Sequence, residues 1–405
     1  MRLPKRLPPK LQLLLLLLLA GLILGIYQLT DSPLLNQYGI LKKYLKRSGA
    51  ESKAAAATTT ANRRILLWSS FFEDARWKLP YDTLGPQEFR DELQCGVYQC
   101  ELSNQHDYLP ALELYDAIVF HAAQPFPLLK SLPKRRNPSQ LYVFALLESP
   151  GETKHRLSDE QDFYNLTMSY RLDSDIVWPY ARLLDKQTRA QVAPSAAPHW
   201  RQPPAVGAWN DSDVWRLWPT KSKMAAWFVS HCETLSLREK LAAALEQHLQ
   251  LDIYGKCGKL SCARGDPHCD NMLDTDYKFY LAFENSLCED YVTEKLYGAL
   301  QRNIVPVVFG GADYTRFLPP HSYIDAEQFE SVDELAAHMD FVASDVYEYM
   351  SYFWWREHYS IGNASPFCDL CAKLHATNWL HKRQAYADIE AWWFNSCRFS
   401  SRIRF

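Results

Sequence analysis

Short apolar runs that alternate with amphipathic helical stretches restrict the possible folds of this chain more than any other feature. "ILLWSS", "DAIVFHA" and "LYVFALLES" follow one another between residues 65 and 149, separated by polar and proline-containing segments. Short runs rich in β-branched and aromatic residues, bounded in this way, are typical of the buried strands of an α/β domain. The first half of the chain therefore predicts one α/β domain.

A second set of the same kind follows a loop rich in proline and alanine at residues 193–209. Its strand-like runs are "MAAWFVS", "LDIYGKC", "YKFYLAFE" and "IVPVVFGG", and "LSLREKLAAALEQHLQ" and "YVTEKLYGALQ" show helical spacing of apolar residues. Strands that alternate with helices predict a parallel sheet covered on both faces. No visible sequence repeat relates the two sets. The chain thus predicts two α/β domains, over residues 63–205 and 206–405.

The N-terminus carries the signal for a membrane segment. Residues 11–29 are uncharged and mostly apolar, and the ten residues before them hold four basic residues and no acidic one. About 20 apolar residues can cross a bilayer as a helix, and basic flanks stay in the cytosol. These features predict a cytosolic tail (1–10), a transmembrane signal anchor (11–29) and a luminal remainder, in a single-pass type II arrangement. A cleaved signal peptide is the alternative, although the run is longer than a usual h-region.

Composition separates a stem from the folded part. Residues 30–62 contain "SKAAAATTTAN" and little that can pack into a core, which is typical of a flexible stem. The whole chain of 405 residues is 47% apolar and 14% aromatic, so the two domains beyond the stem can fill real cores. The net charge of -3 gives no electrostatic reason to expect a nucleic-acid partner.

All ten cysteines follow the apolar segment. An even number of cysteines beyond such a segment predicts several disulfides in an oxidising compartment. The glycosylation sequons at Asn165, Asn210 and Asn363 agree with a secretory route. The C-x-x-C at Cys368 and Cys371 predicts a local structural disulfide. Half of a zinc site or a redox pair is the alternative, although no second C-x-x-C could complete four ligands.

Polar residues crowd the connection between "YKFYLAFE" and the helical stretch that follows it. This connection and the start of the helix hold Glu284, Asn285, Glu294 and Lys295. A helix that begins near Asp290 would point its free backbone N–H groups towards the strand end and form an anion site.

Two cations strengthen the prediction of an anion site. Lys295 adds a full positive charge, and Arg238, early in the preceding helix, can hold two phosphate oxygens at once. Glu294 and Asn285 can bond to sugar hydroxyls, so the set suits a nucleotide diphosphate that carries a sugar. The alternatives are a solvated Glu–Lys pair and ordinary surface charge at Arg238, and the chain has no glycine-rich phosphate loop.

The stretch "YKFYLAFENSLCEDYVTEKLYGAL", followed by "VPVVFGG" and "FLPPHSYI", resembles the signature of the α1,3-fucosyltransferases. "NLTMSYRLDSDIVWPYARL", "KSKMAAWFVS", "YFWWRE" and "FCDLC" resemble further blocks of that family in the same order, between about residues 142 and 371. The resemblance implies an inverting glycosyltransferase with the GT-B fold, in which two Rossmann-like α/β domains face a cleft. It implies that residues 63–205 bind the acceptor and residues 206–405 bind GDP-fucose.

The resemblance also implies roles for single residues. Glu148, in "LLESPG", matches the family's catalytic base, whereas without the family it is a strand-end carboxylate in solvent. The positions that match the family's GDP-fucose ligands are Arg238, Asn285, Tyr291, Glu294 and Lys295. One displacement with inversion needs a carboxylate that deprotonates the acceptor hydroxyl, and the basic pair would stabilise departing GDP without a metal. No tightly bound cofactor is expected, and stimulation by Mn²⁺ stays open.

Two further features bear on these roles. "DSD" occurs at residues 173–175 and 211–213, and a D-x-D motif would suit a manganese-dependent transferase of the other major fold. Chance or structural use is the interpretation adopted for both copies, so no metal site is predicted. His231 follows "WFVS", where many relatives carry Asn, and contact with donor or acceptor would alter specificity or rate.

The resemblance extends to substrate and location. "LDIYGKCGKLSC" looks closer to invertebrate and plant enzymes that fucosylate the innermost N-acetylglucosamine of N-glycans, which predicts core α1,3 transfer. A Lewis-type transferase acting on N-acetyllactosamine is the alternative, and a catalytically silent glycan-binding protein is the second. The expected partners are GDP-fucose and an N-glycan or glycoprotein acceptor. The expected location is the Golgi membrane, held by residues 11–29, with the catalytic domain in the lumen.

Overall fold

The computed structural model describes most of the chain beyond the stem, namely residues 61–123, 137, 139–153, 155–263, 265–363, 365–376 and 385–405. The stretch Asn62–Phe405 forms one compact unit. The predicted tail, anchor and nearly all of the predicted stem lie outside the described residues. Within the described ranges, no helix is long and apolar enough to cross a membrane.

Strands and helices alternate along most of this unit. In chain order, its strands are β1 (Arg63–Leu67), β2 (Thr83–Leu84), β3 (Cys100–Ser103), β4 (Ala117–His121), β5 (Leu141–Leu146), β6 (Leu166–Ser169), β7 (Ile176–Val177), β8 (Arg182–Asp185), β9 (Gln191–Ala193), β10 (Lys223–Phe228), β11 (Leu251–Tyr254), β12 (Tyr277–Phe283), β13 (Leu287–Cys288), β14 (Val305–Phe309), β15 (Ile324–Asp325), β16 (Tyr359–Gly362) and β17 (Cys397–Arg398). Its α-helices are α1 (Pro86–Asp91), α2 (Ser212–Leu217), α3 (Arg238–Leu245), α4 (Pro267–Thr275), α5 (Glu294–Leu300), α6 (Val332–Ser344), α7 (Val346–Ser351), α8 (Pro366–His375) and α9 (Ile389–Phe394).

Two sheets organise the unit. The first has the order β2-β3-β1-β4-β5-β6-β7, and its neighbouring strands are parallel except for β2 and β3. The second has the order β11-β10-β12-β14-β15 with every pair parallel. Strands β4, β5 and β14 are buried at every residue, as expected for parallel strands covered on both faces. The predicted α/β class with two sets of parallel strands is confirmed. Helix α4 and the antiparallel sheet β16-β8-β9 were not predicted.

Helix α5 begins later than the sequence pattern indicated. Its first residue is Glu294 and its N-cap is Thr293, so the predicted start near Asp290 is wrong. Asp290 has a φ of 60°, in the left-handed region that does not continue into an α-helix. The Thr293 side chain accepts a hydrogen bond from the Lys295 amide, which is the usual role of an N-cap. Lys295 therefore lies in the first helical turn.

The C-terminal helices return to the first sheet. Phe367 and Leu370 of α8 and Trp393 of α9 are buried in the same apolar cluster as strands β1, β4 and β5. The predicted domain 206–405 included these helices, whereas in the structure they complete the core of the first sheet. The remaining domain boundaries stay predictions.

All ten cysteines are paired, so the prediction of several disulfides is confirmed. The predicted local bridge within the C-x-x-C is wrong, because α8 is joined to the region around β3 by Cys95–Cys368 and Cys100–Cys371. Two cysteines three positions apart share one face of a helix, and this face packs on the first sheet. The zinc and redox interpretations fail too, since both thiols are in bridges. The other pairs are Cys232–Cys257, Cys262–Cys269 and Cys288–Cys397.

We expect these long-range bridges to dominate the covalent contribution to stability. Cys368→Ser opens a bridge between residues 273 positions apart and should lower the free energy of unfolding by about 2–5 kcal/mol. The matched control, Cys262→Ser, opens a bridge across seven positions and should lower it less, because a short loop restricts the unfolded chain less. Urea unfolding measures both. Equal losses, or a Cys368–Cys371 bridge in non-reducing peptide mapping, would contradict the structure.

Candidate active site

The six predicted site residues line one cavity of about 660 Å³. Glu148 follows β5 of the first sheet, and the other five come from the second half of the chain. They meet because the carboxyl ends of parallel strands lie at one edge of each sheet. The structure thus brings together Glu148, Arg238, Asn285, Tyr291, Glu294 and Lys295. Their roles stay predictions.

Glu148 is a half-buried carboxylate and not a solvated one. The Tyr291 hydroxyl donates a hydrogen bond to Glu148 Oε2 at 3.3 Å. Burial raises the pKa of Glu148, and the charge of Lys295 and the Tyr291 hydrogen bond oppose this in part. A carboxylate with a raised pKa is better matched to accepting a proton near neutral pH than an ordinary one.

Tyrosines hold the end of β5 in place. Tyr291 is buried and packs against Tyr170 and Tyr180, with ring centroids 4.8 Å and 6.5 Å apart. The Tyr180 hydroxyl donates to the carbonyl of Leu147 at 2.8 Å. Burial holds the pKa of Tyr291 well above its ordinary value, so its hydroxyl stays a neutral donor towards Glu148.

Lys295 forms an ion pair with the buried carboxylate of Glu284, a residue to which the sequence pattern gave no role. Its Nζ lies 3.0 Å from Glu284 Oε2 and 2.8 Å from Thr293 Oγ1. Burial favours the neutral amine, but the charges of Glu284 and Glu294 outweigh it and raise the pKa of Lys295. The ammonium is therefore fixed and charged. The sequence feature that could have identified Glu284 as a site residue is its position directly after an apolar strand.

The start of α5 offers fewer free N–H groups than predicted. Glu284 is 1% exposed, and it accepts hydrogen bonds from the backbone N–H and the hydroxyl of Thr293. The Lys295 amide points at that same hydroxyl. Positive potential on this wall therefore comes mainly from side chains, and the helix terminus contributes less than the sequence predicted.

Arg238 is buried, which contradicts its interpretation as surface charge. It is 3% exposed and donates to the carbonyls of Phe283 at 2.7 Å and His231 at 3.1 Å. Its guanidinium lies over the ring of Trp227, 5.8 Å from the centroid. Burial lowers its pKa from a value so high that the group stays charged. Its hydrogen-bond partners are neutral carbonyls, and the nearby charge of Glu284 favours the charged guanidinium, so Arg238 contributes a positive charge to the cavity wall.

A polar contact beside the cavity joins the first half of the chain to the second. Asn285 Nδ2 donates to Glu152 Oε1 at 3.2 Å, and His231 Nδ1 lies 3.4 Å from the same oxygen. The hydroxyls of Ser149 and Ser286 bond at 2.8 Å in the buried layer below. Sequence reasoning singled out His231 but missed Glu152, which lies four residues after the predicted base.

The two D-x-D motifs have structural partners. Asp173 pairs with Arg171, and Asp175 accepts from the backbone N–H of Thr167. Asp211 caps α2 and Asp213 pairs with Arg216. None of these aspartates is among the residues that line the cavity. Among the described residues, the group of three potential metal ligands is Cys100, Cys371 and His375, and its two thiols form a disulfide.

Comparisons with known proteins identify the family. Residues 60–181 match the model "Fucosyltransferase, N-terminal", and residues 218–392 match "Glycosyltransferase family 10 (fucosyltransferase) C-term". Alpha-(1,3)-fucosyltransferase C of Drosophila melanogaster is 63% identical over 392 residues, which cover 97% of this chain and 90% of that protein. The chain belongs to the α1,3-fucosyltransferases of glycosyltransferase family 10. The predicted family is confirmed, and so is the prediction of an enzyme.

More distant fucosyltransferases extend the comparison. Human alpha-(1,3)-fucosyltransferase 7 is 33% identical and covers 81% of this chain and 85% of its own length. Glycoprotein 3-alpha-L-fucosyltransferase A of Drosophila melanogaster is also 33% identical, over 78% of this chain and 59% of that protein. A crystal structure of an alpha1,3-fucosyltransferase with GDP-fucose aligns at 15% identity with a TM-score of 0.46, covering 82% of this chain and 94% of that one.

We expect fucosyl transfer to fail at acid pH through protonation of Glu148. A base acts deprotonated, so kcat/KM should fall as the pH drops through a pKa that burial has raised above 4.5. In Tyr291→Phe this acid limb should move to higher pH. The hydrogen bond from Tyr291 stabilises the deprotonated carboxylate of Glu148, so its loss raises the pKa of Glu148 further. Tyr180→Phe is the control, since the Tyr180 hydroxyl bonds a carbonyl instead. Acid limbs that coincide in the wild type and both variants would refute this assignment.

Proposed function

We propose that this fucosyltransferase moves L-fucose from GDP-β-L-fucose to O3 of the innermost N-acetylglucosamine of N-glycans, with inversion, in a GT-B fold. One observation carries the proposal: Glu148 faces the same cavity as the two fixed cations Arg238 and Lys295. A base on the first sheet and an anion-binding wall on the second are the two halves that such a transfer needs.

In this mechanism Glu148 accepts the proton of the acceptor O3 while that oxygen attacks C1 of fucose from the face opposite the diphosphate. The C1–O bond to GDP breaks as the new bond forms, which inverts the β-linkage to α. Negative charge that develops on the β-phosphate is stabilised by Arg238 and Lys295. Glu294 and Asn285 hold sugar hydroxyls, and Tyr291 holds Glu148 in position. These groups supply the required charge, so the mechanism needs no metal.

The choice of a core N-glycan acceptor is supported by the loops that resemble the core-type enzymes. Cys232–Cys257 ties the loop carrying His231 to the loop after β11. Cys262–Cys269 closes the next loop, and both of its cysteines line the cavity. The 33% identity shared with the fly glycoprotein enzyme and with human fucosyltransferase 7 does not separate acceptor classes. The choice of acceptor therefore depends on these two disulfide-bridged loops.

The proposal also covers the location of the enzyme in the cell. We expect residues 11–29 to anchor the chain in the Golgi membrane, with the stem and residues 63–405 in the lumen. Five disulfides support this placement, because thiols stay reduced in the cytosol. Asn210 and Asn363 of the sequons are exposed. A shift in the electrophoretic mobility of the chain on glycosidase treatment, together with protection of the chain from protease in intact vesicles, would support this luminal placement. Digestion of residues 63–405 by protease in intact vesicles would contradict it.

The experiment that tests the function offers labelled GDP-fucose to the purified chain with a panel of N-glycans and N-acetyllactosamine, with and without EDTA. Transfer to the innermost N-acetylglucosamine, confirmed by linkage analysis, is the expected result in both conditions. Transfer to N-acetyllactosamine alone would replace the proposed acceptor with a Lewis-type one. Binding of GDP-fucose without transfer to any acceptor would overturn the proposed reaction.

A further inference from the structure

A buried aspartate outside the cavity directly precedes Tyr291. Asp290 is 3% exposed and does not line the cavity, and it takes no part in the proposed chemistry. Tyr291, the next residue, lines the cavity, and its hydroxyl donates a hydrogen bond to Glu148. A carboxylate is costly to bury unless it is paired and hydrogen-bonded, so the partners of Asp290 show what it holds together.

The Asp290 carboxylate joins the two halves of the chain. Its Oδ2 accepts a hydrogen bond from the backbone N–H of Leu172 at 2.9 Å, in the connection between β6 and β7 of the first sheet. Its Oδ1 lies 2.9 Å from Arg316 Nη1, in the short helical turn that follows β14 of the second sheet. One side chain therefore fixes the chain just before Tyr291 against both sheets.

The backbone at Asp290 needs this support. Its φ of 60° lies in the left-handed region, which costs energy for a residue other than glycine and persists only where the surroundings hold it. Aspartate and asparagine tolerate that region better than most side chains do. The disulfide Cys288–Cys397 anchors the chain two residues earlier. The turn at Asp290 therefore sets the direction in which the Tyr291 side chain leaves the backbone.

Tyr291 carries the effect of this turn to Glu148. Its hydroxyl lies 3.3 Å from Glu148 Oε2, whereas O–H···O hydrogen bonds usually measure about 2.5–3.0 Å. A bond this long is lost through a small displacement of the ring. The ring packs on Tyr170, with centroids 4.8 Å apart, and Tyr170 lies two residues before Leu172. The contact between Asp290 and Leu172 thus also steadies the surface on which Tyr291 packs.

We infer that Asp290 is a positioning residue, which holds Tyr291 and through it keeps Glu148 in place for proton transfer. This inference rests on the proposed role of Glu148 as the base and adds a residue that lies outside the cavity. The alternative is a buried ion pair that only stabilises the fold. Such a pair would leave the proton affinity of Glu148 unchanged.

Asp290→Asn tests the inference without catalysis. The amide has one oxygen, which can accept from Leu172 or from Arg316, and its N–H₂ group would face the other donor. The hydrogen bond from Tyr291 should then be lost, and the pKa of Glu148 should rise by about 0.5 to 1 pH unit. Removing a negative charge acts in the opposite direction, so a rise identifies positioning. ¹³C NMR of the full-length chain, labelled at the glutamate carboxyls, measures this pKa from the resonance that is missing in Glu148→Gln.

Glu327→Gln is the matched control. The Glu327 side chain is 6% exposed, lies 2.7 Å from Arg398 Nη2 and accepts from the backbone N–H of Arg402. It has the same two kinds of partner as Asp290 and does not line the cavity. Glu327→Gln and Asp290→Asn should lower the free energy of urea unfolding by similar amounts, but Glu327→Gln should leave the pKa of Glu148 unchanged.

Two further variants separate the route of the effect from a general loss of structure. Asp290→Gly forms neither bond, and glycine adopts the left-handed backbone without strain, so the pKa of Glu148 should rise here too. Tyr291→Phe should raise this pKa by itself. Adding Asp290→Asn to Tyr291→Phe should raise it no further, because both changes act through one hydroxyl.

A pKa of Glu148 that stays the same or falls in both Asp290 variants would overturn the inference. So would an equal rise in Glu327→Gln, or a further rise in the double variant. The acid limb of kcat/KM should move with the pKa. An acid limb that stays in place while the pKa rises, or the same rise in a chain that transfers fucose to no acceptor, would uphold the positioning of Glu148 and refute the proposed function.

Discussion

Replacing Glu148 with Gln should nearly abolish fucosyl transfer and leave GDP binding intact. The amide keeps the size of the side chain but cannot accept the acceptor proton, and positioned general bases contribute about 10²- to 10⁴-fold to rate. We expect kcat to fall by that factor. GDP should bind at least as tightly as before, because the cations Arg238 and Lys295 are unchanged. Initial rates with saturating donor and calorimetric GDP titration measure the two quantities.

Glu152→Gln is the control for that result. Glu152 lies four residues later and contacts Asn285 and His231, which line the cavity. An amide oxygen can still accept the Asn285 hydrogen bond, so kcat should change far less than in Glu148→Gln. Comparable losses in the two variants would show that the effect is not specific to the carboxylate of Glu148. The role of Glu148 as the base would then be wrong.

Replacing Lys295 with Met should damage both donor use and stability. Glu284 is 1% exposed and would lose its cation, while its hydrogen bonds from Thr293 remain. Breaking a buried pair costs about 3–5 kcal/mol, and we expect about 2–3 kcal/mol here because Lys295 is 23% exposed. Removing one preorganised stabilising group costs about 10²- to 10³-fold, and kcat/KM should fall accordingly. Urea unfolding and initial-rate kinetics provide the two measurements.

Lys223→Met is the matched control for Lys295. The Lys223 ammonium lies 3.0 Å from Asp252 and is 35% exposed, so its loss should cost at most about 1 kcal/mol. Lys223 does not line the cavity, and kcat/KM should stay unchanged. A Lys295→Met enzyme with wild-type kcat/KM would remove Lys295 from the donor site. Equal destabilisation in both variants would mean that the burial of Glu284 has no energetic consequence.

Parallel-strand topology explains why five of the six predicted site residues lie at one cavity, whereas Tyr291 was predicted from the family resemblance alone. Glu148 and Asn285 directly follow apolar strands, and Arg238, Glu294 and Lys295 open the helices that come next. Any sheet built from these strands places such positions at one edge. The family resemblance supplied their roles. Glu284 and Glu152 were missed because they act through neighbours that local sequence does not reveal.

The sequence by itself determined the class of fold, the central strands β1, β4 and β5 of the first sheet, four of the five strands of the second (β10, β11, β12 and β14), and the positions that meet at their carboxyl edges. These properties follow from the spacing of apolar residues along consecutive positions, which is a local signal. Only the tertiary structure decided that α8 is bridged to Cys95 and Cys100, that α5 starts at Glu294, and that Arg238 is buried. Each of these depends on contacts between segments far apart in the chain. Neither the period of a helix nor that of a strand encodes which distant partner a side chain will find.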